Sequence, residues 1–132
     1  MTKRLIESRL PLLEVSTESA REKSIRHGHI STLHIWWARR PLAASRAAVF
    51  GTLVDDTDEN YELVKDIVPW EAVKDGNSEA VLKARAAVLK ANGGVPPKVL
   101  APFGGGGAIP LEALRLGCET YSLDLNPVAH LI

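Results

Sequence analysis

The sequence predicts an α/β chain: a helical and loop segment at the front, then the first β-α-β unit of a mostly parallel sheet. Three observations carry this. A short apolar stretch after Pro96-Pro97 leads into four consecutive glycines, Gly104 to Gly107. An apolar helix and a second strand ending in Asp124 follow them. Upstream, the alanine-rich stretch from Leu42 to Val54 has the composition of a buried helix. Strand, glycine turn, helix and acid-tipped strand, in that order, are the parts of a nucleotide-binding half-site.

The 132 residues suffice for one small domain. A hydrophobic fraction of 45% is ordinary for a globular chain. The longest apolar runs fall far short of a membrane span, and no apolar signal core follows the basic start Met1-Thr2-Lys3-Arg4. The single cysteine, Cys118, excludes an intrachain disulfide and a four-cysteine metal site. The setting expected from this is the cytoplasm. The net charge of zero conceals an asymmetry. Residues 1–50 hold nine Lys/Arg and four Asp/Glu, whereas residues 51–132 hold seven and twelve. Two readings stay open: an anionic partner at the front, or pairing of the two halves.

Taken in order, residues 1–34 have no clean period. Leu5, Ile6, Leu10, Leu12 and Leu13 form an apolar cluster broken by Pro11, and the polar, basic stretch from Ser19 to His29 reads as loop or short helix. Pro41 suits the first turn of a helix, where its missing N–H costs nothing. That helix runs from Leu42 to Val54 and is ended by Asp55-Asp56-Thr57-Asp58. The acidic residues 59–76 read as a peripheral helix and loop. Asn77 or Ser78 can cap a helix reaching Lys90, closed by Asn92-Gly93-Gly94. Lys98 to Ala101 is a short buried strand, Pro102 to Gly107 a glycine loop, and Ala108 to Leu116 a helix ended by Gly117. Glu119 to Asp124 is the second strand. Asn126-Pro127 reads equally as a helix start and as a loop bordering a bound base. The organisation expected is a basic N-terminal segment over 1–58, a helical connection over 59–95, and the start of a ligand-binding domain over 96–132.

The glycine run has a physical reading. Glycines let the backbone approach a ligand closely, and the helix N-terminus behind them offers free N–H groups. Asp124, about 20 residues further on, can accept both hydroxyls of a ribose. The dinucleotide fingerprint G-x-G-x-x-G fails, because its third glycine position falls on Ile109 or Pro110. The phosphate loop fails too, since no lysine follows the glycines. A tight turn that binds nothing is the plain alternative.

Pro102-Phe103-Gly104-Gly105-Gly106-Gly107 resembles the Asp-Pro-Phe-x-Gly-x-Gly motif of amino-group DNA methyltransferases. The likeness extends along the chain. Ala20 to His29, Ser31 to Arg46 (with Ile35-Trp36-Trp37-Ala38-Arg39-Arg40-Pro41), Pro102 to Glu119 and Asp124 to Ala129 are all similar to the opening region of the adenine-specific DNA methylase family. The resemblance implies a partial Rossmann-type methyltransferase fold and S-adenosylmethionine as cofactor. It implies cofactor binding by Phe103, Gly104, Gly105, Gly106 and Asp124, and by Arg40 at the start of the helix that precedes the glycine strand. It also implies DNA as partner, with adenine N6 as the target amine ahead of cytosine N4.

Trp36, Trp37, Arg39 and Arg26 combine aromatic surface with positive charge, which suits phosphate contact and base stacking. The alternative is that one Trp is core and the arginines pair with the acidic rear. For Arg21, Lys23 and Arg26 a solvated loop is the alternative. His27, His29 and His34 lack the cysteine or carboxylate that would complete a metal set, so no metal is expected and a hydrogen-bonding role is read instead. Cys118 reads as a small core residue.

Two departures from the family pattern matter. Ala101 stands where the pattern has an acid, which holds the amino end of the cofactor's methionine. The catalytic Asn/Asp-Pro-Pro-Tyr/Phe tetrapeptide is absent from the 132 residues. No residue here is therefore assigned a catalytic role, and the chain alone is expected to be inactive: a truncated product or one part of a larger or split enzyme. Two strands leave open sheet edges, which predicts a partner chain or self-association. A non-catalytic nucleotide-binding or regulatory module and an RNA methyltransferase fragment are the competing readings.

Overall fold

The computed structural model describes residues 3–22, 41–74, 78–102 and 108–123. Seven helices and two strands lie among them: α1 (Leu5–Ser8), α2 (Leu12–Glu22), α3 (Leu42–Leu53), α4 (Asp58–Ile67), α5 (Trp70–Val73), α6 (Glu79–Ala91), β1 (Lys98–Ala101), α7 (Ala108–Arg115) and β2 (Glu119–Ser122).

α3 is the hub. It packs against α1, α2, α4, α6 and α7, and its sequence, LAASRAAVFGTL, is apolar or small almost all the way round, as a central helix requires. Phe50 is fully buried, with Leu5 from α1, Val64 and Ile67 from α4, Val88 from α6 and Leu116 after α7 around the same core. The chain start closes one side. Leu5 N–H donates to Val54 O at 3.0 Å and Asp56 N–H to Lys3 O at 2.9 Å, a short antiparallel bridge behind α3.

The front of the chain is more helical than its sequence predicts. The stretch read as loop or short helix contributes its residues 19–22 to α2, an 11-residue helix that Pro11 introduces. Val15 N–H donates to Pro11 O at 3.0 Å. The leucines misdirect the pattern: Leu12 and Leu13 are 68% and 76% exposed, while Pro11 and Val15, four residues apart, carry the buried face.

The remaining helices have local causes. Thr57 Oγ1 accepts the Asn60 N–H at 3.1 Å, and Asp58 and Glu59 sit in the first turn of α4, where the helix dipole favours anions. Ser78 is the residue that caps α6, accepting Val81 N–H at 3.3 Å. The side chain of Asn92 then ties the end of α6 to the end of α3, donating to Val88 O at 2.8 Å and Leu53 O at 3.0 Å. Pro110 lies in the first turn of α7, where no intrahelical N–H is needed. Gly117 ends α7 at φ 85°, with its own N–H donating to Leu114 O and the Cys118 N–H to Ala113 O, both at 3.0 Å. A side chain in that left-handed conformation is strained.

β1 and β2 pair in parallel, Lys98 opposite Glu119 through Ala101 opposite Ser122, with α7 as the crossover. Two further bonds, Glu119 N–H to Pro97 O and Leu123 N–H to Ala101 O, both 2.9 Å, extend the ladder at either end. α7 packs on both strands, and Val99 joins the core on that side. The other face is bare among the described residues: Leu100, Tyr121 and Leu123 are 61%, 49% and 55% exposed. No helix among the described residues is long and apolar enough to cross a membrane.

Candidate functional site

The residues that frame the glycine run are set by the parallel pair. Ala101 and Ser122 are register partners at the carboxyl ends of β1 and β2. The chain leaves β1 through Pro102 toward the glycines and returns at Ala108, the first residue of α7. Asp124 follows directly on Leu123, which is hydrogen-bonded to Ala101. In open α/β sheets ligands bind at this end of the strands. Ala101 is buried, so the end of β1 holds a small apolar residue and no carboxylate. Phe103, Gly104, Gly105, Gly106, Asp124 and Arg40 themselves lie outside the described residues, as do Trp36, Trp37, Arg39 and Arg26 and the three histidines His27, His29 and His34.

Beside this frame an apolar groove of about 410 Å³ runs between α3 and the sheet. Pro41 and Ser45 from the start of α3, Val99 from β1 and Ile109 from the first turn of α7 line it. The first turns of two helices thus border one groove. Cys118 is buried nearby in sequence but not in role. It packs in the core, and burial pushes its thiol above the usual range, away from a reactive thiolate.

Behind the groove lies a buried charge network. Arg46 and Glu112 have side chains 2% and 0% exposed, with Nη1 of Arg46 3.1 Å from Oε2 of Glu112. The same carboxylate oxygen is 3.1 Å from Nε of Arg115. Arg46 also donates from Nε to Ile67 O and from Nη2 to Val68 O, both at 2.6 Å. Those are the last carbonyls of α4, groups that lack helical partners and carry the negative end of the helix dipole. Arg115 Nη1 donates to Val73 O at 3.0 Å, and Arg85 Nε to Arg115 O at 2.8 Å. Burial lowers the pKa of Arg115 and Glu112 opposes that. One network thereby joins α3, α4, α5, α6 and α7. The sequence carries one signal for it: Arg46 is the lone charge in the apolar α3. A single arginine in a fully packed helix needs a buried acceptor.

The charge asymmetry resolves in part into internal pairing. Arg4 meets Asp55 at 3.1 Å, and Arg9 meets Asp56 at 2.9 Å and Asp58 at 2.7 Å. The Arg9 guanidinium also lies 4.9 Å from the Tyr61 ring. Arg21, in the stretch expected to be loop or short helix, sits in the last turn of α2 and holds Glu71 in a two-pronged contact, Nη1 to Oε2 at 2.8 Å. That guanidinium pulls the Glu71 carboxyl down to about 2. For these arginines the partner is the acidic rear of the same chain.

No curated protein and no solved structure matches this chain. A family model does match, over residues 9–78, just over half of the 132 residues. That span holds α2 to α5, the Arg9 and Arg21 pairs, and Arg46 with its carbonyl acceptors. On this match the chain belongs to the family described as "Protein of unknown function (DUF1156)".

Proposed function

We propose that this chain is the cofactor-binding, N-terminal part of an S-adenosylmethionine-dependent DNA methyltransferase of Rossmann type, acting on adenine N6 in the whole enzyme. The observation that carries the reading is the parallel β1–α7–β2 unit with four glycines between β1 and α7 and an acid, Asp124, two residues after β2. The described frame fits a nucleoside-bearing ligand. Both strands end side by side, the helix after the glycines begins there, and an apolar groove lies alongside.

In this reading Gly104, Gly105 and Gly106 bring backbone N–H groups to the ligand, Phe103 gives it an apolar wall, and Asp124 accepts the ribose hydroxyls. Arg40, two residues before α3 in sequence, is assigned to its carboxylate end. The bound cofactor supplies an electrophilic methyl group, and the protein's contribution is positioning and exclusion of water. Trp36, Trp37, Arg39 and Arg26 serve nucleic-acid contact. The bare sheet face fits a partial domain in which further helices, or a partner chain, cover it. The one cysteine, buried and unpaired with another, suits the cytoplasm.

A second reading, a nucleotide-binding module without chemistry, is favoured by Ala101, which leaves β1 without the acid of the family pattern. Titration calorimetry with S-adenosylmethionine separates the readings from a chain that binds nothing. Heat that Asp124→Ala abolishes supports the cofactor site, and a folded chain giving no heat overturns it. Methyl transfer to DNA and RNA, assayed on the whole enzyme, then decides between enzyme and module and between substrates.

A further inference from the structure

We infer that Glu112 is a positioning residue, locking the helix behind the glycine run onto α3 through Arg46 and Arg115 so that the first turns of the two helices keep a fixed relation. The inference rests on the cofactor reading above. Glu112 is the fifth residue of α7 and Arg46 the fifth of α3. Each stands one helical turn in from its helix start, beneath Ala108 and Leu42, which are buried on the same faces. Pro41 and Ile109, from those first turns, line one groove. The ion pair therefore sits directly behind the place where the two helix starts meet the proposed ligand.

The arrangement costs more than packing requires. A buried pair contributes little net stability over apolar groups of the same volume, and its best-attested use is to fix register. Here the acid is held from two sides, by Arg46 and by Arg115 at 3.1 Å each. Arg46 is in turn anchored by the carbonyls of Ile67 and Val68, and Arg115 by Val73. A slide of α7 along α3 would break charged contacts in a site without water access, whereas apolar contacts alone would tolerate it.

The test compares wild type, Glu112→Gln and the double variant Arg46→Met/Glu112→Leu in the full chain, by thermal melting and by calorimetric titration with S-adenosylmethionine. Glu112→Gln should melt lower and bind at least tenfold more weakly. The double variant should melt above Glu112→Gln, short of wild type because Arg115 and the carbonyls ending α4 still lose their partners, and remain at least tenfold weaker in binding. A double variant that regains both stability and affinity would overturn the inference, because packing would then be the whole role. If wild type itself gives no heat, the cofactor reading fails, and amide NMR of Gly104 to Ile109 judges the positioning alone. Displaced resonances in the stable double variant support it, and superimposable ones overturn it.

Discussion

The block matched by the family, residues 9–78, and the strand–helix–strand unit that follows solve their surfaces in opposite ways. The first pairs its own charges: Arg9 with Asp56 and Asp58, Arg21 with Glu71, Arg46 with the carbonyls ending α4. The second leaves Leu100, Tyr121 and Leu123 exposed on one face of a two-stranded sheet. A parallel sheet is ordinarily covered on both faces. Among the described residues the helical block therefore reads as a charge-paired platform, with Leu12 and Leu13 of α2 its exposed leucines, and the β1–α7–β2 unit as a sheet with one apolar face uncovered. Glu112 is where the second is fastened to the first.

The largest effect should come from breaking that fastening. Arg46→Met alone leaves Glu112 buried with half its charge partners and α4 without its carbonyl donors, at a cost of about 3–5 kcal/mol. Denaturant unfolding measures it, and a loss below about 1 kcal/mol would mean that the two regions are not joined through this pair. Next comes the turn that feeds β2. Gly117→Ala forces a side chain into φ 85° and should cost about 1–2 kcal/mol. An unchanged midpoint would contradict the left-handed helix end.

Within the platform, Thr57→Ala removes the acceptor for Asn60 N–H and should cost about 1 kcal/mol. The smallest effect concerns Arg21 and Glu71, an exposed pair worth little near neutrality. The Glu71 carboxyl, normally near 4.5, is held down to about 2 in the folded chain. Its contribution is present above pH 4.5 and lost as pH falls toward 2. The melting-temperature gap between wild type and Glu71→Gln should therefore close over that window. A gap constant from pH 7 to pH 2 would show that Arg21 does not hold Glu71.

How far the sequence discloses this follows from what each signal depends on. β1 and the starts of α3 and α7 coincide with the expected bounds because proline, glycine and an apolar run act locally at each. The end of α6, at Ala91, falls one residue past the expected Lys90, where Asn92, Gly93 and Gly94 close it. α2 was obscured because its exposed leucines mimic a core, and only the tertiary fold tells Leu12 from Val15. The Arg46–Glu112 pair spans 66 residues, so no local pattern could join its members, although a lone charge in the apolar α3 marks one end. The glycine run and Asp124 suggest a nucleotide-binding pattern by their spacing, and both lie outside the described residues.

The most direct measurement follows amide NMR resonances of the full chain during titration with S-adenosylmethionine. Saturable shifts are expected only at Phe103–Ile109, Leu123–Leu125 and the start of α3, with α2 and α4 unmoved. Absence of shifts at millimolar cofactor, or shifts centred on α2 and α4, would contradict it.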